Sequence, residues 1–353
     1  MMSKTKAAMQ KRSQLLIPLI ALLAVVVFNL IRDPNFFSVR ILTNSYGNAV
    51  LSGNLITLLN SASELAILAM GMSLVTAASK GQDISVGAGA AIAGSVFVRI
   101  LLAGHITVGS IVAAFLASCV VAMIFGAFNG SLVAVFKIQP MIATLILFTI
   151  GRSIAYWING GATPTVSSDL LNYLGNFIPG IPVPTPIFVV VICAALFALF
   201  LKFTNLGLYT QAVGINENAA RLNGIHSMFM KLLAFVILGV CVAFAAAISV
   251  SRIGLINHET ILLGIEMDAI LAVAIGGNSL GGGKFSMVGS VIGAYVIQGL
   301  TTTLLAMKVP STDVKAYKAI VIIAIVVIGS PVVKRVAGQL WSRLFRPKVV
   351  PIA

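Results

Sequence analysis

Long apolar runs alternate with short polar breaks along the whole chain. Ten runs stand out, at roughly 15–31, 55–79, 84–103, 107–136, 138–158, 185–201, 231–251, 264–277, 287–306 and 317–333. About 20 apolar residues in a helix cross a ~30 Å hydrocarbon core. The pattern therefore predicts an all-α, polytopic membrane protein of about ten transmembrane helices. The eighth run is short for that thickness and is expected to be tilted, re-entrant or buried among other helices. Two of the longer connections, 32–54 and 159–184, fall on the same side of the runs. The second is rich in Gly, Pro and Asn and predicts an ordered loop or lid. Ten runs divide into two five-span halves, and an odd number per half makes the second inverted relative to the first. SVGAGAAIAG (85–94) and SMVGSVIGAY (286–295) fit such a repeat, since each follows a Gly-containing break and opens a small-residue helix. Gly126-x-x-x-Gly130 and Gly289-x-x-x-Gly293 predict close packing of helix backbones within the chain.

Among the breaks, Lys202 to Lys231 is the longest on the side that collects most lysines. It reads as a short helix between turns. Asn216 is a natural N-cap, Glu217 sits at the favourable end of the helix dipole, and Gly224 is a natural stop. So short a helix is marginal alone and needs a surface to dock against. The alternative is a solvated connector.

Charge orients the runs. Only 9% of residues are charged and 59% are hydrophobic, against about 25% charged in a soluble domain. The whole chain thus reads as one transmembrane domain, 1–353. The net charge of +14 would suggest nucleic acid in a soluble protein. Here the basic residues sit at run ends, without the interleaved aromatics of a base-stacking groove, so no nucleic-acid partner is expected. One side collects Lys4, Lys6, Lys11, Arg12, Lys80, Lys137, Lys202, Arg221, Lys231, Lys284, Lys334, Arg335, Arg343, Arg346 and Lys348. The other holds Arg32, Arg40, Arg252, Lys308, Lys315 and Lys318. The positive-inside rule makes the first side cytoplasmic, with both termini inside. The first run resembles a signal sequence, but no small-residue cleavage site follows, so it is expected to stay attached. Cys119, Cys193 and Cys241 lie far apart in apolar runs, and the three histidines are isolated. Neither a metal site nor a redox pair is suggested.

The candidate chemistry lies at the breaks and inside the runs. GNSLGGGKF (277–285) looks like a phosphate-binding loop and fails on inspection. The pattern needs Gly at 278 and Ser or Thr at 285, where the chain has Asn278 and Phe285. It reads instead as a tight turn, and ATP hydrolysis is left to another chain. In the break at 80–85, Asp83 can cap the third run, with Ser85 beside it. Either this is a capped turn, or it is a broken helix whose end lines a solute path or gate. Polar groups inside membrane helices cost energy and face the bundle interior or a water-filled path. The candidates are Asn60 and Glu64, then Asn129, then Gln139, Thr144 and Arg152, then Glu266 and Asp268, and last Gln298. Neutral amides and hydroxyls suit a hydroxylated solute. The structural alternative pairs Glu64 or Asp268 with Arg152. No HExxH or paired catalytic carboxylates occur, so catalysis by the chain has little support. An ion-coupled secondary transporter would need a deep carboxylate, and Glu64 is its best candidate.

Taken together, GQDISVG (81–87), NGSLVAVFKIQPMIATL (129–145), LGLYTQAVGINENAARLNGI (206–225) and EMDAILAVAIGGNSLGGG (266–283) resemble the sugar-type permease subunits of bacterial ABC importers. That group includes ribose, xylose, galactose and autoinducer-2 permeases. The resemblance runs from about 55 to 333 and is closest to the galactofuranose-type members. It implies a permease of the inner, cytoplasmic membrane that imports a pentose or hexose and pairs with an identical or related permease subunit. It also implies a cytoplasmic ATPase that uses ATP and Mg2+, and an extracytoplasmic sugar-binding protein. No cofactor is implied in this chain. The 202–231 loop then resembles the coupling helix, with Asn216, Glu217, Ala219, Ala220, Arg221 and Gly224 at the ATPase. One departure stands out: Lys80-Gly81-Gln82-Asp83-Ile84-Ser85-Val86-Gly87 replaces the family's usual Gly-Gly-Ile-Asp-Leu-Ser-Val-Gly.

Overall fold

The structure is a computed structural model that describes residues 2–43 and 49–329. The basic residues from Lys334 to Lys348, and the end of the tenth run, lie outside these residues. Helices fill each apolar run. They are α1 (Met2–Arg32), α2 (Asn54–Ser61), α3 (Ser63–Ser79), α4 (Val86–Leu102), α5 (Val108–Ala134), α6 (Pro140–Ile158), α7 (Asp169–Gly175), α8 (Thr185–Phe203), α9 (Leu206–Ile215), α10 (Glu217–Leu222), α11 (Ser227–Ile253), α12 (Ile265–Ile275), α13 (Met287–Ala306) and α14 (Val314–Gly329). Seven segments among the described residues are long and apolar enough to cross a membrane: 15–32, 54–79, 108–134, 140–158, 185–203, 227–253 and 287–306. Val86–Leu102 is a shorter apolar helix. Helix α12 has 11 residues, or about 16 Å at 1.5 Å per residue. It is too short to cross alone, as the length of its run predicts.

The chain is not purely helical. In the 32–54 connection, β1 (Arg40–Thr43) pairs antiparallel with β2 (Ala49–Ser52). This hairpin lies in a segment whose composition signals only a connection. The 159–184 connection is ordered, as expected. Helix α7 sits within it, and Val166 N–H donates to Gly254 O while Ile256 N–H donates to Pro164 O. Residues 2–302 and 303–329 fall in two compact units. The second contains the end of α13 and helix α14.

In the first unit α3 and α11 form the buried centre. Every residue of α3 is buried. Helix α11 packs along α5 and α3, and α4 lies against α5, α6 and α11. Small residues let these backbones approach. A Cβ built on Gly126 would sit 2.5 Å from Phe235 O, and one on Gly239 would sit 2.5 Å from Ala122 O. The second glycine motif works likewise, for a Cβ on Gly293 would lie 2.0 Å from Ala272 O. Both motifs mark internal packing, α5 on α11 and α13 on α12. Exposed positions on the long helices are apolar, among them Leu116, Ile124, Val191 and Leu196.

Candidate functional site

The 202–231 loop folds as two helices, α9 and α10, where the sequence predicts one. Asn216 breaks them apart, with extended backbone dihedrals, and then caps the second. Its Oδ1 accepts the Ala219 N–H at 3.1 Å. Gly224 ends the turn at φ +79°, a left-handed backbone that suits glycine. Glu217 is held from two directions. Its carboxylate lies 2.6 Å from Lys231 Nζ and accepts the Ser227 hydroxyl at 2.9 Å. These partners tie α10 to the start of α11. The hydrogen bond from Lys231 holds the Glu217 carboxyl below the usual glutamate range. Ala220 is buried against the chain's own bundle. Ala219, Arg221 and Gly224 lie on the exposed side, beside Leu222, which is 90% exposed.

The break between α3 and α4 gathers four of the predicted polar residues. Asp83 Oδ1 accepts the Ser85 N–H at 2.7 Å and the Ser85 hydroxyl at 2.6 Å. Asn129, reaching in from α5, donates to Ser85 Oγ at 2.9 Å and to Asp83 Oδ2 at 3.4 Å. Thr144, from α6, accepts the Ile84 N–H at 3.2 Å. Ser85, not Asp83, takes the N-cap position of α4. Asp83 instead steadies Ser85 through an Asx-type turn. The void bordered by Asp83, Ser85 and Asn129 is about 20 Å³, little more than one water-sized probe. No monosaccharide fits there in this conformation.

The second break, between α12 and α13, repeats the device with a neutral side chain. Asn278 Oδ1 accepts the Ser286 N–H at 2.6 Å, and Asn278 Nδ2 donates to Ser290 Oγ at 2.8 Å. Neither residue follows from the failed phosphate-loop pattern, although Asn278 is one of the two residues at which that pattern fails. The two similar segments at 85–94 and 286–295 thus share a serine at the helix start whose N–H is held by an upstream Asp or Asn.

The remaining candidates separate. Glu64 pairs with Arg252, at 2.8 Å, and not with Arg152. Arg252 also donates to Asn60 O at 3.0 Å. Sequence spacing gives no hint of this pair, because 188 residues separate the partners. Arg152 donates instead to the carbonyls of His258, Glu259 and Ile261, at 2.8, 3.0 and 3.2 Å, and so caps the turn before α12. Glu266 is buried near it, with Oε2 unbonded. Asp268 is half-buried one helical step on. Gln298 is half-buried on α13, and Gln139 is exposed at the start of α6.

The chain matches the family described as "Branched-chain amino acid transport system / permease component" over residues 54–329. It is 37% identical over 312 residues to the galactofuranose transporter permease protein YtfT of Escherichia coli, covering 88% of each chain. It is 33% identical over 330 residues to the fructose import permease protein FruF of Bifidobacterium longum, covering 91% of this chain and 89% of that one. The ribose import permease protein RbsC of Escherichia coli is 35% identical over 317 residues, with 88% and 92% covered. No solved structure matches. With the family pattern spanning every element from α2 to α14, the chain belongs to the family of membrane transport-system permease components.

Proposed function

We propose that the chain is the membrane permease subunit of an ATP-driven bacterial importer for a monosaccharide, with a galactofuranose-type sugar the favoured cargo. The observation that carries this reading is the end-to-end likeness to permeases named for galactofuranose, fructose and ribose. In this reading the chain is a single permease domain of ten spans in two inverted halves, with both termini cytoplasmic. Ser85 and Ser286, each near a helix start with its N–H held by an upstream Asp or Asn, support the repeat. A second permease subunit completes the path. A cytoplasmic ATPase hydrolyses ATP with Mg2+, and an extracytoplasmic binding protein delivers the sugar.

Two elements on the lysine-rich side of the bundle have roles in that cycle. The exposed face of α9 and α10 offers Ala219, Arg221, Leu222 and Gly224 to the ATPase. Asn216 and the Glu217–Lys231 pair keep that face rigid, so that a push on it moves helices instead of unwinding a turn. The break around Asp83, Ser85, Asn129 and Thr144 is a closed gate, whose hydrogen bonds must rearrange to open a path. Such hydroxyl and amide groups suit a polyhydroxylated solute, because they exchange hydrogen bonds without burying a bare charge. An ion-coupled cycle finds no support in the relatives, and its candidate Glu64 is already neutralised by Arg252.

The test is ATP-driven uptake in vesicles that carry the full importer. Glu217→Arg puts two cations together at the foot of α11, and Gly224→Trp adds bulk on the exposed face. Both variants are expected to lose ATPase association and uptake. Wild-type association and uptake in both would refute the docking role.

A further inference from the structure

At Gly214, helix α9 meets the rest of the protein through backbone. A Cβ on Gly214 would lie 1.8 Å from Ala77 O and 2.6 Å from Gly283 N. Gly283 N–H in turn donates to Ala77 O at 3.1 Å. Ala77 O is one of the last carbonyls of α3, which no partner inside that helix can satisfy. Gly283 has φ +80°, and a Cβ there would lie 2.6 Å from Ile215 Cγ1, at the end of α9. Three segments thus meet in one junction: the end of α9, the end of α3 and the loop between α12 and α13. The loop is also tied to the first break, since Gln82 Nε2 donates to Leu280 O at 3.0 Å. Gln82 is only 7% exposed. It is also one of the residues by which this chain departs from the usual Gly-Gly-Ile-Asp pattern, and it directly precedes Asp83.

Close-packed backbone does not compress, so a displacement at one side of such a junction must move the other. We propose that the 277–286 loop is the transmission element between the α9–α10 docking face and the Asp83–Ser85–Asn129 gate, with Gly283 and Gln82 as its positioning residues. The route runs from α9 through Gly283 to Leu280, and from there through Gln82 to Asp83. The inference rests on the reading of α9–α10 as the ATPase docking face. It goes beyond that reading by making the α12–α13 loop part of the drive, where the sequence suggests a plain turn.

The experiment uses the full chain reconstituted with its ATPase and binding protein, and reads sugar taken up per ATP hydrolysed. Gln82→Ala removes the bond to Leu280 without adding bulk, and Gly283→Ala strains the left-handed turn against Ile215. Both are expected to lower the ratio at least fivefold while the ATPase still co-purifies. Lys284→Ala, at an exposed neighbour on the same loop, is expected to keep the wild-type ratio. Where Gly283→Ala fails to assemble, Gln82→Ala decides alone. A wild-type ratio in Gln82→Ala, or an equal fall in Lys284→Ala, overturns the transmission role. A wild-type complex without ATP-dependent uptake overturns the permease reading itself, a separate failure.

Discussion

Helix α11 is anchored by an ion pair at each end. At its start Lys231 meets Glu217 at 2.6 Å, and at its finish Arg252 meets Glu64 at 2.8 Å. The two pairs stand 21 residues apart along α11, about 32 Å at 1.5 Å per residue. Judged by distance, the first is the tighter. Burial reverses that order of importance. Glu217 is 39% exposed and can fall back on solvent, whereas Glu64 is 4% exposed and cannot. A buried charge stripped of its partner is expensive, while an exposed pair contributes little. The Arg252 end also binds Asn60 and Asn176. It is a fixed anchor that joins α2, α3, α7 and α11. The Glu217 pair adds little to global stability, and its part is local: it fixes α10 on the start of α11. Short distances between charges therefore do not identify what holds this bundle together.

The sharpest way to break the comparison is to remove one buried partner. Arg252→Ala leaves the buried Glu64 without its counter-charge and should destabilise the protein by about 3–5 kcal/mol. Thermal or denaturant unfolding in detergent reads this directly, and a loss like that of an exposed pair would refute the contrast. Replacing both partners sharpens it further. Glu64→Leu with Arg252→Met removes the charges together, and should recover most of the loss, since apolar isosteres of a buried pair are often neutral. The cap on α10 comes next. Asn216→Ala should cost about 1 kcal/mol, local to α10. Faster hydrogen exchange at Ala219 and Ala220, with the bundle core unchanged, is the expected signature. Glu217→Gln is the smallest change and should cost under about 1 kcal/mol. Its pH dependence has a definite sign. The folded carboxyl titrates below its unfolded value, so its contribution is present above the ordinary glutamate range near 4.3. That contribution fades as pH falls through the lowered folded value. The unfolding difference between wild type and Glu217→Gln should shrink on acidification.

What the sequence reveals and what it hides follow from distance along the chain. The helical runs are legible because hydrophobicity averages over many residues. The cap at Asn216 and the stop at Gly224 are legible because capping involves residues two or three apart. The gathering of Asp83, Ser85, Asn129 and Thr144 is legible only as four separate polar positions, since α4, α5 and α6 bring them together. The Arg252–Glu64 pair and the Gly214–Gly283–Ala77 junction are hidden, because nothing local marks partners that far apart. Arg252 reads as an outer-segment charge, and Gly214 as one residue of the polar 202–231 break. The hairpin at 40–52 is missed for a different reason. Its strands have four residues each, too few for alternation to stand out beside long apolar runs.

In the proposed cycle, an ATPase docked at α9–α10 drives movement through this chain. The most direct measurement is uptake of a labelled galactofuranose-type sugar by vesicles containing the chain and its binding protein, with the ATPase either present or omitted. Uptake that needs both ATP and the ATPase, and that ignores dissipation of ion gradients, is the predicted result. Uptake that persists without the ATPase and collapses when an ion gradient is removed would contradict it.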